Sequence, residues 1–155
     1  MQSELKQGKP FLNPEEELFL SLARTSDMLG NMLVDFLKEH GLSTTQYNVL
    51  RILRGAGEKG LTCGEISVRL VTRDPDVTRL LDRLEHRNLI TRSRDTVDRR
   101  VVSVYISRDG LHLVEILAQP IIDIHKGQFS FMTPEEMRNM LDQLTRIRES
   151  MDSPA

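Results

Sequence analysis

The sequence lacks the features that are typical of small secreted proteins and of membrane proteins. It contains one cysteine, Cys63, in 155 residues, so an intrachain disulfide is excluded. No apolar run exceeds three residues, which excludes a transmembrane helix. The first residues, MQSELK, lack the apolar core of a secretion signal. We therefore expect a cytoplasmic protein that has no membrane partner.

Signatures of catalysis and metal binding are also missing. The glycine-rich stretch 55–60 lacks the Gly-Lys-Ser/Thr ending of a phosphate-binding loop, and no nucleophile elbow or zinc-protease motif occurs. Cys63 is interpreted as a packed residue, although the start of a helix can also favour a thiolate. The four histidines, which are possible metal ligands, stand singly: His40, His86, His112 and His125. We therefore predict that the protein binds no metal, and from the missing motifs that it is not an enzyme and uses no cofactor.

Basic charge is concentrated in one segment of an otherwise acidic chain. The formal net charge is −2, yet residues 69–100 contain nine arginines, six acidic residues and no lysine. That segment therefore carries +3, and the rest of the chain carries −5. The flat guanidinium group suits phosphates and guanine edges, so the segment indicates a local anion-binding face.

Apolar spacing and capping signals predict six helices. Asn13 and Pro14 begin the first, of about 27 residues, which ends at His40 and Gly41. Its apolar residues cover two faces, which is more surface than a small monomer can bury. The later helices begin at similar signals: Ser43 with Gln46, Thr62 with Glu65, Asp74 with Pro75, Ser107, and Thr133 with Pro134.

Between the fourth and fifth helices the apolar period changes from 3.6 to 2. Residues 89–94 and 100–106 are predicted strands, joined by a turn at 95–98, and residues 55–60 are a predicted loop. Pro120 predicts a kink or a break in the fifth helix. The order of elements indicates a mainly α fold with a small β-ribbon: a winged helix-turn-helix flanked by helices from both ends of the chain.

Several motifs in this order resemble the MarR family of dimeric transcriptional regulators, over almost the whole chain. They are LTCGEI at 61–66, VTRLLDRLE at 77–85, NLI at 88–90, DRR at 98–100, and Ile106-Ser107 ahead of Gly110. The family has Gly where this chain has Asn88, and Asn tolerates the same left-handed backbone. It has Leu-Thr in place of Ile106-Ser107, a change that keeps the helix cap.

The resemblance implies a domain layout. It predicts an arm at 1–12 and a single MarR-type domain at 13–150, with the winged helix-turn-helix at about 43–106 and dimerisation helices at about 13–40 and 107–150. It implies a triangular homodimer in which the first, fifth and sixth helices interleave. Two winged lobes then sit on a pseudo-palindromic operator in double-stranded DNA.

DNA-binding candidates lie on the fourth helix and on the ribbon. A recognition helix fits the major groove, and an arginine-rich ribbon tip suits a minor groove. By resemblance, Arg100 enters the minor groove and Asp98 orients it, while Asp74 is a cap and Asp76 either faces a cytosine amino group or points away. The candidates are Arg73, Asp76, Thr78, Arg79, Arg83, Arg92, Arg94, Asp98, Arg99 and Arg100.

Family members often bind small aromatic acids between the dimer helices and the winged lobe. Apolar walls with one cation suit such a ligand, although the same residues also fit an ordinary core. The pocket candidates are Met28, Met32, Phe36, Tyr47 and Arg51. We predict a homodimeric, sequence-specific transcriptional regulator, a repressor relieved by a small phenolic or aromatic acid. The alternative is a winged-helix adaptor whose arginine face binds an acidic protein.

Overall fold

A computed structural model describes residues 6, 8, 10–72, 76–94 and 101–152. The contacts divide the chain into two units, Met1–Pro120 and Ile121–Ala155, and each is described by itself. The described elements are α1 (Pro14–Glu39), α2 (Thr44–Ala56), β1 (Leu61–Thr62), α3 (Cys63–Arg69), α4 (Val77–His86), β2 (Ile90–Arg94), β3 (Val102–Ile106), α5 (Arg108–Gln128) and α6 (Pro134–Asp152). None of the helices in these ranges has the length and hydrophobicity needed to span a bilayer.

Helix α1 begins and ends where its capping residues predict. The Asn13 side chain accepts a 2.8 Å hydrogen bond from the Glu16 backbone N–H. At the other end Gly41 adopts φ +66°, and the Leu42 N–H donates to the Leu37 carbonyl. This is a Schellman ending, in which a left-handed glycine lets the chain turn out of the helix. The predicted boundaries of the first helix are confirmed.

The sheet has three antiparallel strands in the order β1-β3-β2. Strands β2 and β3 form the predicted ribbon, with Ile90 opposite Ile106 and Arg94 opposite Val102. Strand β1 was not predicted, because two residues are too short for an alternating pattern to be visible. Leu61 of β1 pairs with Val104 of β3. The chain between α2 and α3 therefore runs along the edge of β3 that faces away from β2.

Apolar residues from α2, α3, α4 and the sheet form one core in the first unit. Helix α4 contacts α2, α3 and β2, and its leucines are buried against them. Burial of apolar surface is the main force that holds these short helices together. The fully buried side chains include Leu50, Leu53, Ile66, Leu81, Leu84, Ile90 and Val104.

Two helix boundaries differ from the prediction. Gly55 and Ala56 belong to α2 and not to a loop, because the chain leaves the helix only at Gly57, with φ +60°. Residues Gly57–Lys59 of the predicted loop form one turn of 3-10 helix. Helix α4 begins at Val77 with Asp76 as its N-cap, which is later than the Asp74-Pro75 signal suggests. Residues 73–75 lie outside the described ranges.

Pro120 does not break the fifth helix. Helix α5 continues through it, so the predicted break is wrong, and the two contact-defined units meet at this residue. Proline lacks a backbone N–H to donate to the carbonyl four residues earlier. Val114, Leu117 and Ile121 of the same helix are buried, and burial of apolar side chains favours the helix despite the lost hydrogen bond.

The turn between α4 and β2 is bonded to the start of α5. Asn88 adopts φ +57°, the left-handed conformation that the sequence predicts for it. The Ser107 hydroxyl donates to the Asn88 carbonyl at 2.6 Å and accepts from the Gly110 N–H at 3.0 Å. Ser107 is therefore the cap of α5, as predicted.

The second unit contains the end of α5 and all of α6. The Glu136 carboxylate accepts hydrogen bonds from the Thr133 N–H at 2.7 Å and the Thr133 hydroxyl at 2.9 Å, which lowers the pKa of Glu136. This is the N-terminus predicted at Thr133 and Pro134. Large apolar side chains in this unit remain exposed, including Ile122, Phe131, Met140 and Leu141.

Candidate nucleic-acid interface

Helix α4 has one apolar side and one charged side. Val77, Leu80, Leu81 and Leu84 are buried in the core. The opposite side is exposed and consists of Thr78, Arg79, Asp82 and Arg83. Because the leucines fix one side of the helix inward, the two arginines face solvent from the first two turns of a ten-residue helix.

The N-terminus of α4 is organised by Asp76. Its carboxylate accepts a 3.2 Å hydrogen bond from the Arg79 backbone N–H and lies 3.4 Å from Arg79 Nε. Asp76 is thus a helix cap, a role that the sequence predicts for Asp74. The Arg79 side chain remains 78% exposed, so its guanidinium is accessible from solvent.

Arg92 of β2 is held against α4. Its guanidinium lies 2.7 Å from the Asp82 carboxylate and 3.6 Å from that of Glu85, and it also reaches the Thr78 carbonyl at 3.5 Å. Only 26% of the side chain is exposed. These contacts join the ribbon to the charged side of the helix. Arg94, two residues further along the strand, is exposed.

Four of the sequence-predicted DNA-binding residues lie outside the described ranges: Arg73, Asp98, Arg99 and Arg100. Along the chain, residue 73 precedes the α4 cap and residues 95–100 connect β2 with β3. These segments connect to α4 and β2, and both elements carry exposed candidates that the structure describes. They are Thr78, Arg79 and Arg83 on α4 and Arg94 on β2.

Arg87 belongs to the basic segment, and the sequence predicts no role for it. It is the C-cap of α4, and its guanidinium donates to the backbone carbonyls of Gly41 and His40. Those partners lie 46 and 47 residues earlier in the chain, so no local pattern identifies them.

The predicted effector residues are only partly brought together. Tyr47 is buried, and the Arg51 guanidinium lies 5.9 Å from the centre of its ring. Burial raises the pKa of the Tyr47 phenol, and the positive charges of Arg51 and Arg54 oppose that rise. Phe36 is half-buried on α1, whereas Met28 and Met32 are exposed there. An open groove of about 460 Å³ lies elsewhere, lined by Gly41, Gln46, Asp82, Arg83, His86 and Arg87.

Among the described residues, no three histidine, cysteine or acidic side chains are grouped so that they could hold a metal ion. Cys63 is half-buried in the first turn of α3. That turn is capped by Thr62, and the Thr62 backbone and hydroxyl donate to Glu65, each at 2.8 Å. Both bonds lower the pKa of the Glu65 carboxyl group.

Comparison with known proteins assigns this arrangement to a family. A model described as the MarR family matches residues 42–102. HTH-type transcriptional repressor MdtR of Bacillus subtilis is 32% identical over 122 residues, which are 78% of this chain and 77% of that protein. The chain belongs to the MarR family. This confirms the resemblance inferred from the sequence motifs.

Solved structures of MarR proteins share the fold. A MarR transcription factor from Planctomyces limnophilus is 34% identical with a TM-score of 0.68, and the match covers 90% of this chain and 98% of that one. MepR of Staphylococcus aureus in a DNA complex is 26% identical with a TM-score of 0.76, covering 87% and 96%. This MarR protein is therefore a DNA-binding transcriptional regulator with a winged-helix fold, and its named relatives are regulators rather than enzymes.

Proposed function

We propose that this MarR protein is a homodimeric, sequence-specific repressor whose two copies read a pseudo-palindromic operator. The exposed charged side of α4, backed by buried leucines, is the observation that carries the proposal. A helix of this width fits the major groove, where Thr78, Arg79 and Arg83 would reach base edges and phosphates. The half-sites then lie about one helical turn apart, 10–10.5 base pairs.

The remaining DNA contacts come from the ribbon and its flanks. Arg94 is exposed on β2 and would contact the backbone. Arg73, Asp98, Arg99 and Arg100 keep the roles that the sequence predicts, with Arg100 in the minor groove. For Arg92 we propose a supporting role, because Asp82 and Glu85 already neutralise its guanidinium and hold β2 against α4.

Exposed apolar residues on α1 support the homodimer. Leu18, Phe19, Met28 and Met32 are each more than half exposed, and Phe19 reaches 70%. A stripe of such residues along a helix that begins at residue 14 is more apolar surface than a monomer normally leaves in water. The N-terminal and C-terminal helices, about 13–40 and 107–150, would bury it against a second copy.

Repression is supported by the relative MdtR, which is itself named a repressor. MdtR is a protein of a bacterium, where the chromosome lies in the cytoplasm, and we propose the same location for this chain. For the effector we propose a small aromatic acid whose carboxylate pairs with Arg51 and whose ring packs near Tyr47, Phe36, Met28 and Met32. Titration of free and DNA-bound protein with phenolic acids tests this, since equal affinities would remove any regulatory effect.

An adaptor that binds an acidic protein through the same arginines is the alternative function. Heparin retention is expected of either protein, because both present a basic face. Only a DNA-binding protein will also shift a duplex of random sequence and enrich one sequence from a random pool. We expect a two-fold symmetric enriched sequence, called here the selected duplex. Heparin retention without a shift of any duplex would favour the adaptor and contradict the proposal.

A further inference from the structure

The C-terminal end of α4 is tied to the C-terminal end of α1 by one side chain. Arg87 donates from Nη1 to the Gly41 carbonyl and from Nη2 to the His40 carbonyl, the latter at 3.3 Å. His40 is the C-cap of α1, and Gly41 is the left-handed residue that follows it. The ends of two helices that are distant in sequence are therefore joined by a two-point contact.

The end of α1 is well suited to a guanidinium group. Carbonyl groups at a helix C-terminus have no partner in the next turn and lie at the negative end of the helix dipole. The flat guanidinium can donate at once to the C-cap carbonyl and to the carbonyl of the residue that follows it, whereas an ammonium group is a single point. It also packs directly on Gly41, where an added Cβ would lie 3.4 Å from Nη2 and 3.7 Å from Cζ of Arg87.

This contact adds a directional restraint to the apolar contacts of α4. The leucines of α4 hold it against α2 and α3 through apolar contacts, which are non-directional. Hydrogen bonds depend on direction and distance, so the two bonds from Arg87 favour one orientation of the helix end. From β2, Arg92 holds the middle of α4 through Asp82 and Glu85, while Arg87 links its far end to α1.

We infer that Arg87 is a positioning residue for DNA binding, which fixes the orientation of α4 relative to α1 without contacting DNA. The inference rests on the proposed function, in which α1 contributes to the dimer and α4 reads the groove. Fixing α4 on α1 then fixes the spacing and angle between the two reading helices of the dimer. Contacts with base edges need accurate placement, whereas attraction to phosphates tolerates small shifts.

The test compares Arg87→Gln and Arg87→Lys with the wild-type protein on the selected duplex and on random duplex. Arg54→Gln is the matched control, because it removes the same charge from an exposed residue at the end of α2. We expect Arg87→Gln to weaken binding to the selected duplex about tenfold and binding to random duplex less than about twofold. Arg87→Lys is expected to bind the selected duplex about threefold more weakly and random duplex with unchanged affinity. Arg54→Gln is expected to bind both duplexes with wild-type affinity.

The dependence of binding on salt separates positioning from direct contact. The slope of log affinity against log salt is negative, and losing one phosphate contact makes it about 1 less steep. We therefore expect Arg87→Gln to keep the wild-type slope. A less steep slope with equal losses on both duplexes would overturn the inference, because Arg87 would then bind phosphate. Unchanged binding to the selected duplex would overturn it as well.

Stability and the proposed function are controlled separately. The active fraction of each variant is measured by stoichiometric titration, so partial unfolding cannot imitate a loss of discrimination. If Arg87→Gln does not fold, Arg87→Lys carries the test, and binding equal to that of the wild type would overturn the inference. If the wild-type protein binds no duplex, the proposed function is refuted. If the wild-type protein binds the selected duplex and the Arg87 variants bind it equally well, only the positioning role is refuted.

Discussion

The double variant Arg79→Ala, Arg83→Ala is expected to bind the selected duplex at least about 100-fold more weakly than the wild-type protein. The two side chains lie four residues apart on the exposed side of α4, so both face the same groove. Each arginine that reads a base contributes about 1–3 kcal/mol of discrimination, and 1.4 kcal/mol is tenfold. The loss of Arg79 also leaves the Asp76 carboxylate without the guanidinium 3.4 Å away, which adds repulsion from phosphates.

Equilibrium binding by fluorescence anisotropy measures this effect, with Arg54→Ala as the control for an arginine lost elsewhere in the lobe. Both α4 side chains are exposed, so the urea midpoint of the double variant should stay close to the wild-type value. Retention of wild-type affinity would mean that the charged side of α4 is only a solvated surface. That result would also remove the premise of the role proposed for Arg87.

Gly110→Ala is expected to lower the free energy of unfolding by about 3 kcal/mol. Gly110 is buried in the first turn of α5, where a Cβ would overlap the Leu89 carbonyl oxygen and lie 3.1 Å from Ile106 Cγ1. The Leu89 carbonyl already accepts a hydrogen bond from the Ser107 N–H at 3.1 Å. Because the Leu89 carbonyl group belongs to the backbone, the methyl group can enter only if α5 moves away from the turn.

Gly55→Ala is the matched control for this substitution. Gly55 lies within α2, and a Cβ there would meet nothing within 4 Å. Alanine should therefore stabilise the helix by up to about 1 kcal/mol. Urea unfolding of both variants at one protein concentration measures the difference. If Gly110→Ala unfolds at the same urea concentration as the wild type, that result would contradict the close approach of α5 to the turn between α4 and β2.

Local signals predict much of the fold because they act over only a few residues. Asn13 and Gly41 mark the ends of α1, Ser107 marks the start of α5, and Asn88 marks the left-handed turn. Each of these depends on a side chain or backbone conformation that the residue type itself favours. The exceptions are Pro120, the start of α4, the end of α2 and the two-residue strand β1. Tertiary packing, the choice between neighbouring aspartates or a pattern too short to see decides the outcome at these positions.

The candidate site was less predictable because its residues are joined across the chain. The exposed side of α4 follows from the leucine spacing, so Arg79 and Arg83 could be placed from the sequence. The pairing of Arg92 with Asp82 and the bonds from Arg87 to the end of α1 could not, because they depend on how distant elements pack. The arginines of the basic segment therefore have different surroundings, and only the three-dimensional structure distinguishes them.

The salt dependence of binding to the selected duplex tests the central claim most directly. Two winged lobes that together neutralise about 6–10 phosphates should give a slope of log affinity against log salt between about −5 and −9. Dissociation constants measured between low and physiological salt would establish this slope. A slope in that range supports a paired arginine surface seated on DNA, whereas a slope near zero would contradict it.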